Sequence, residues 1–195
     1  MCPGKNMATG RDGKAYARDI GQDVQVYAST HGIKLIICLL NDYEIRSIGC
    51  DVKKYERACQ QHGIELMKYP IIEMAPPEDV AQFHADVVAK VLESMRQGHN
   101  VLAHCRGGIG RAGLLACCVS YCLLGTGPSP QVKTPKDVIA HVRSKRDRRC
   151  VESRKQEERA TNSNLSIQRK NQLAYKNLIA NLSNSNQSSH LKNRQ

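Results

Sequence analysis

His104-Cys105-Arg106-Gly107-Gly108-Ile109-Gly110-Arg111 is the stretch whose residue types and spacing could do chemistry. Five residues separate a cysteine from an arginine, and three of those five are glycine. Glycine lets successive backbone N–H groups turn inward into a nest that binds anions. Apolar Val101-Leu102-Ala103 before the loop reads as a strand, and the apolar stretch from Ala112 reads as a helix. The first turn of that helix adds unpaired N–H groups and the positive end of its dipole. A thiol in such a cradle is expected to ionise more readily than free cysteine, whose pKa is about 8.5. Cys105 is then a nucleophile for phosphorus. Arg111 offers a planar fork to two phosphate oxygens, and the backbone of Arg106, Gly107, Gly108, Ile109, Gly110 and Arg111 closes the ring around them. Cleaving a phosphate monoester this way also needs an acid that protonates the departing oxygen.

The elements that must hold this loop read as an alternation of helix and strand. Ile20, Val24, Val26, Tyr27 and Ala28 fall at helical spacing within residues 18–31, and Gly32 ends that helix. Residues 34–40 form an apolar, branched run of strand length. Asn41-Asp42 reads as a turn, residues 52–62 as a second helix stopped by Gly63, and residues 64–69 as the next strand. The prolines of residues 70–77 demand a loop. Glu78-Asp79 starts a further helix that runs to Gly98. The strand of residues 100–103 then delivers the phosphate loop, and residues 112–124 form a nearly all-apolar helix. Thr134-Pro135 caps a helix that reaches Arg143, and two more helices are read at 152–160 and 165–182. A short strand is expected near Tyr16. The alternation predicts an α/β fold with a central, mostly parallel sheet flanked by helices, and it puts the loop at the carboxyl end of a strand, where such sheets keep their ligands.

Composition narrows the function classes. The chain's 195 residues, 41% of them hydrophobic, suit one domain, read as residues 1–182, followed by a polar, frayed tail at 183–195. No apolar run approaches the roughly 20 residues that span a bilayer. Together with nine cysteines of no zinc-like spacing, this leads to the expectation of a cytoplasmic or nuclear protein with reduced thiols. The formal charge of +11 lies almost wholly in residues 131–195, where 15 Lys and Arg meet 5 Asp and Glu, most densely at 143–149. Such a stretch attracts phosphoproteins, anionic head groups or nucleic acid, or is simply a solvated basic loop. With one Phe and no Trp in the chain, base stacking is poorly supported and nucleic acid is not an expected partner.

With its preceding His and its strand-to-helix context, the run His104 to Gly113 resembles the signature loop of the cysteine-based protein tyrosine and dual-specificity phosphatases. The order of segments, over about residues 18–180, is most similar to the kinase-associated phosphatases. The resemblance implies one phosphatase-like catalytic domain that hydrolyses phosphotyrosine, phosphoserine or phosphothreonine through a phosphocysteine. It implies a phosphorylated protein as partner, a cyclin-dependent kinase by the nearest analogy, and neither cofactor nor metal. It assigns His104 to orienting the loop, Gln156 to positioning water, and Cys38 to a reversible disulfide with oxidised Cys105. The acid falls in Pro70-Ile71-Ile72-Glu73, where Glu73 is the first choice; Glu78 and Asp79 are alternatives that helix capping explains better. A phosphate-binding module without turnover and a phosphoinositide phosphatase remain as other readings, although the latter group often carries extra lysines where this loop has Arg106 and Ile109. There are two departures from the family pattern. Glu73 stands where Asp is usual, and Ala112 stands where a Ser or Thr hydroxyl would stabilise the leaving thiolate. Ala112 predicts a slow second half-reaction, so phosphocysteine should accumulate under rapid quench; a steady-state rate limited by the first step would contradict this.

Overall fold

A computed structural model of the chain describes residues 2–7, 9, 13, 15–124 and 134–162. The expected helix at 165–182 and tail at 183–195 lie outside the described residues. Three parallel strands, β1 (Ile33–Cys38), β2 (Glu65–Lys68) and β3 (Asn100–His104), form a sheet in the order β2-β1-β3. β1 is central, and Leu35 to Leu40 are all buried. A parallel strand covered on both faces needs a continuous apolar run rather than alternation, and that is what this segment supplies. Around the sheet lie α1 (Ile20–Ser29), α2 (Asp42–Ser47), α3 (Val52–Gln61), α4 (Val80–Phe83), α5 (Ala89–Arg96), α6 (Arg111–Leu124), α7 (Pro135–Lys145) and α8 (Arg154–Asn162). A π-helical turn, His84–Val88, joins α4 to α5. The α/β architecture with a parallel sheet flanked by helices is therefore as expected.

Hydrogen bonding continues past the ends of the strands, and this builds the floor of the site. Leu39 N donates to His104 O at 2.9 Å, Tyr69 N to Cys38 O at 2.9 Å, and Ile71 N to Leu39 O at 3.2 Å. The backbones of residues 39, 71 and 104 are thus fastened side by side at the carboxyl end of the sheet.

Local chemistry sets the helix starts. Asp19 caps α1 and Asp79 caps α4 through side-chain oxygens, and Thr134 with Asp137 makes a capping box ahead of Pro135. Three differences from the sequence reading matter. Asn41-Asp42, read as a turn, is the cap and first residue of α2 (Asp42–Ser47), which is too short for apolar periodicity to reveal. α8 begins at Arg154 instead of Glu152, because the Ser153 hydroxyl accepts from Gln156 N at 3.0 Å and so caps the helix. Near Tyr16 there is only an isolated antiparallel bridge between Thr9 and Ala15.

The basic stretch at 143–149 is partly structural. Arg143 donates to Cys150 O at 3.0 Å and to Val151 O at 3.3 Å, and it pairs with Glu157. Arg149 pairs with Asp147. All nine cysteines are free thiols. Ile36 is at 0% exposure in the central strand, and Ile36→Ala is expected to lose about 2–5 kcal/mol, read as a lowered urea midpoint at unchanged slope.

Candidate active site

The loop from Cys105 to Gly110 links β3 to α6. Gly108 adopts φ of 73°, a left-handed turn that suits glycine, and its N–H donates to Cys105 Sγ at 3.2 Å. Cys105 is 3% exposed, and Gly108 and Gly110 are buried with it while Arg106 and Gly107 face solvent. At the start of α6, Gly113 N and Leu114 N are bonded to Ile109 O and Gly110 O, so the loop passes directly into the helix. The thiol therefore sits at the base of a backbone turn that leads into the N-terminus of α6, the positive end of that helix's dipole.

Arg111 is 3% exposed, and one of its nitrogens anchors it. Nη1 meets Glu44 Oε1 at 2.8 Å and Oε2 at 3.0 Å, Ile71 O at 2.8 Å and Leu39 O at 3.4 Å. Two of these acceptors are the carbonyls fastened together at the sheet end. Nε and Nη2 have no protein partner among the described residues, and neither is a buried, unsatisfied atom. This is the pair of donors that a tetrahedral oxyanion takes from a guanidinium.

Glu44 is the residue the sequence reading missed. It closes the capping box of α2 with Asn41, accepting from Asn41 N while its own N–H donates to Asn41 Oδ1 at 2.8 Å, and its carboxylate also reaches Arg111. The Asn41-x-x-Glu44 spacing was the available signal.

His104 is buried at 1% exposure, and its Nε2 is hydrogen-bonded to the Tyr55 hydroxyl at 2.9 Å. Burial pushes its pKa down to about 4, outweighing a smaller opposing pull from the Cys105 backbone. Burial likewise raises the Tyr55 phenol well above its ordinary range. Both groups are neutral at pH 7, so the pair orients the loop's first residue without carrying charge. Tyr55, on α3, gave no sign in the sequence beyond an apolar helical position.

Gln156 is 0% exposed, and it ties the loop of residues 70–77 to the segment after α7. Its Nε2 donates to Ala75 O at 3.2 Å and its Oε1 accepts from Ser153 N at 3.4 Å, while Ser153 Oγ donates to Met74 O at 2.7 Å. Met74 and Val151 both hold left-handed backbone, with φ of 61° and 62°. For a branched valine this is strained; the bonds from Val151 N to Ile109 O and from Arg143 to Val151 O hold it there. Gly113 packs so closely on this bend that a Cβ would lie 3.1 Å from Val151 N.

Of the remaining expected site residues, Glu73 is exposed in the turn beside Met74, one residue beyond the Ile71-Ile72 step that reaches Arg111. Asp79 caps α4, and Glu78 is exposed beside it. Cys38 ends β1 as the register partner of His104, its thiol directed at Leu40 O at 3.8 Å and its pKa pushed up to about 12 by burial. Ile109 packs on the second apolar cluster, with Cys117, Val138, Ile139, Val142, Cys150 and Val151. Among the described residues no group of His, Cys, Asp and Glu could hold a metal ion, and no helix is long and apolar enough to cross a membrane.

A cysteine loop between strand and helix, with an arginine anchored across the sheet ends, places the protein in the dual-specificity phosphatase superfamily. Within that superfamily, residues 17–160 match the model of the family described as "PTP-SAK: Swiss Army Knife protein, DSP-PTPase phosphatase domain", and the chain belongs to it. No curated protein sequence matches the chain. Among solved structures it is similar to kinase associated phosphatase bearing a serine for its catalytic-site cysteine, with 21% identity over 80% of this chain and 79% of that one and a TM-score of 0.65. It is also similar to PTPMT1 in complex with PI(5)P, with 17% identity over 78% and 86% and a TM-score of 0.58. Tk-PTP in its active form shares 23% identity over 71% and 81%, with a TM-score of 0.55. At these identities the likeness is one of fold.

The depressed His104 makes stability depend on pH in a fixed direction. Unfolded His104 takes up a proton as pH falls below about 6.5, whereas folded His104 resists until about 4, so stability is lost as pH falls across that window. The loss should be on the order of 3 kcal/mol in urea titrations at pH 7 and pH 4. Buried His84, also depressed, acts in the same direction, so His104→Gln should flatten the profile only in part.

Proposed function

We propose that this protein is a phosphoprotein phosphatase working through a phosphocysteine. The observation that carries the reading is Arg111 held by Nη1 alone, with Nε and Nη2 left to a phosphate, in the same loop as a buried thiol that accepts a backbone N–H. Cys105 attacks phosphorus in line, and the P–O bond to the substrate residue breaks. Arg111 and the N–H groups of residues 106–111 neutralise charge on the equatorial oxygens. Glu73, on the loop whose backbone is fastened to Arg111, protonates the departing oxygen. His104 and Tyr55 hold the start of the loop, and Gln156 positions the water that releases phosphate. Cys38, register partner of the residue before the nucleophile, is the thiol assigned to capture oxidised Cys105.

The substrate class follows from the loop's charge. Arg106 is the only cation in it besides Arg111, which suits one phosphate on a protein better than a polyphosphorylated headgroup. The likeness to kinase associated phosphatase makes a phosphorylated cyclin-dependent kinase the analogous partner, in a cytoplasmic or nuclear setting. The second reading, a phosphoinositide phosphatase, draws on the PTPMT1 complex, whose ligand is PI(5)P.

A panel of phosphopeptides and phosphoinositides tests both. Wild type should hydrolyse phosphopeptides, Cys105→Ser should bind them without turnover, and Glu73→Gln should lose about 10² in rate on substrates with poor leaving groups. Hydrolysis confined to the lipids would favour the second reading. Binding without turnover by wild type would reduce the protein to a phosphate-recognition module.

A further inference from the structure

Glu73 stands at the first corner of a tight turn. Ala75 N donates to Ile72 O at 3.0 Å, so residues 72–75 close a four-residue bend with Glu73 and Met74 at its centre. Met74 is left-handed, with φ of 61°, at the corner where such a bend ordinarily has glycine. That backbone is strained for a residue with a Cβ, and it persists only where surrounding bonds fix it. The Glu73 carboxylate is exposed and has neither a hydrogen bond nor an ion pair among the described residues, so its aim is set by the turn that carries it.

The turn is fastened from two directions. On the entry side Ile71 N donates to Leu39 O at 3.2 Å, and Ile71 O accepts from Arg111 Nη1 at 2.8 Å. On the exit side two carbonyls accept from the start of α8: Met74 O from Ser153 Oγ at 2.7 Å, and Ala75 O from Gln156 Nε2 at 3.2 Å. The Ser153 hydroxyl does two things at once. Its oxygen accepts from Gln156 N at 3.0 Å, which caps α8, and its single proton goes to Met74 O. The helix needs only the acceptor; the donor is spent on the residue next to Glu73.

We infer that Ser153 is a positioning residue for Glu73, its donated hydrogen bond fixing the turn from which the acid is presented. The inference rests on the phosphocysteine mechanism proposed above, with Glu73 as its acid. As Cys105 Sγ bonds to phosphorus, the P–O bond breaks with its electron pair on the departing oxygen. The proton of the Glu73 carboxyl passes to that oxygen, and Glu73 is left as carboxylate. Ser153 exchanges nothing in this step. It holds the carboxyl within reach while the bond breaks.

Cap and fastening can be separated by substitution. At neutral pH Ser153→Asp keeps an acceptor for Gln156 N but has no proton for Met74 O, Ser153→Ala loses both, and Ser153→Thr keeps both. Each is assayed for kcat/KM on a series of aryl phosphates whose leaving phenols differ in pKa, with Glu73→Gln alongside. The more basic the departing phenolate, the more the reaction needs its acid, so a misplaced acid steepens the dependence on leaving group. Ser153→Asp and Ser153→Ala should lose about tenfold on the most basic phenolates and less than about twofold on the least basic, with Ser153→Thr within about twofold of wild type throughout. Ser153→Ala should lower the melting temperature more than Ser153→Asp, through its lost cap. A loss equal across the series, or no loss at all, overturns the inference and leaves the phosphatase reading standing. A loss in Ser153→Ala that Ser153→Asp does not share belongs to the cap and overturns it too. Glu73→Gln with the leaving-group dependence of wild type overturns Glu73 as the acid, and the role of Ser153 with it, whereas absence of hydrolysis by wild type overturns the phosphatase reading itself.

Discussion

The contact on which the rest of this structure depends is that between Arg111 and three separate parts of the chain. A guanidinium buried without a partner would cost several kcal/mol, so its carboxylate and carbonyl partners have to be in place for the fold to keep it there. Glu44 comes from a six-residue helix after β1, and the carbonyls of Leu39 and Ile71 come from just beyond two different strands. The same backbone ladder that aligns residues 39, 71 and 104 therefore also decides which way the arginine's free edge points. The stability of the sheet end and the orientation of Arg111 use one set of atoms.

A second fastening closes the opposite side. The segment from Cys150 to Glu157 meets the loop after β3 through Val151 and Ile109, and meets the loop of residues 70–77 through Ser153 and Gln156. Its backbone is strained at Val151, where Arg143 supplies the compensating bonds, and Met74 in the loop it meets is also left-handed. Part of what reads in sequence as a binding surface of positive charge is thus the clamp that lets two loops share a wall. Lys145, Arg146 and Arg148 remain exposed on that stretch.

Much of the fold was legible because its signals are local. The buried run of β1, the caps at Asp79 and Thr134, and the glycines of the phosphate loop each carry their instruction within a few residues. The placing of Cys105 and Arg111 was legible for the same reason, since only five residues separate them on one strand-loop-helix unit. Glu44 was not, because α2 is shorter than two turns and its only mark was the Asn41-x-x-Glu44 box. Glu152 was read as part of a helix that in fact starts two residues later, after the Ser153 hydroxyl bonds to Gln156 N.

The amino-acid sequence by itself determined the glycine-rich loop between Cys105 and Arg111, the α/β alternation and the absence of long apolar spans, because spacing, periodicity and composition act over short stretches. Only the tertiary structure decided which carboxylate anchors Arg111, which phenol meets His104, and which hydroxyl meets the Met74 carbonyl. Those partners lie tens of residues away along the chain, 67 between Glu44 and Arg111 and 49 between Tyr55 and His104. Parallel strands require long crossovers, so the carboxyl ends that form this site are close in space because they are far apart in sequence.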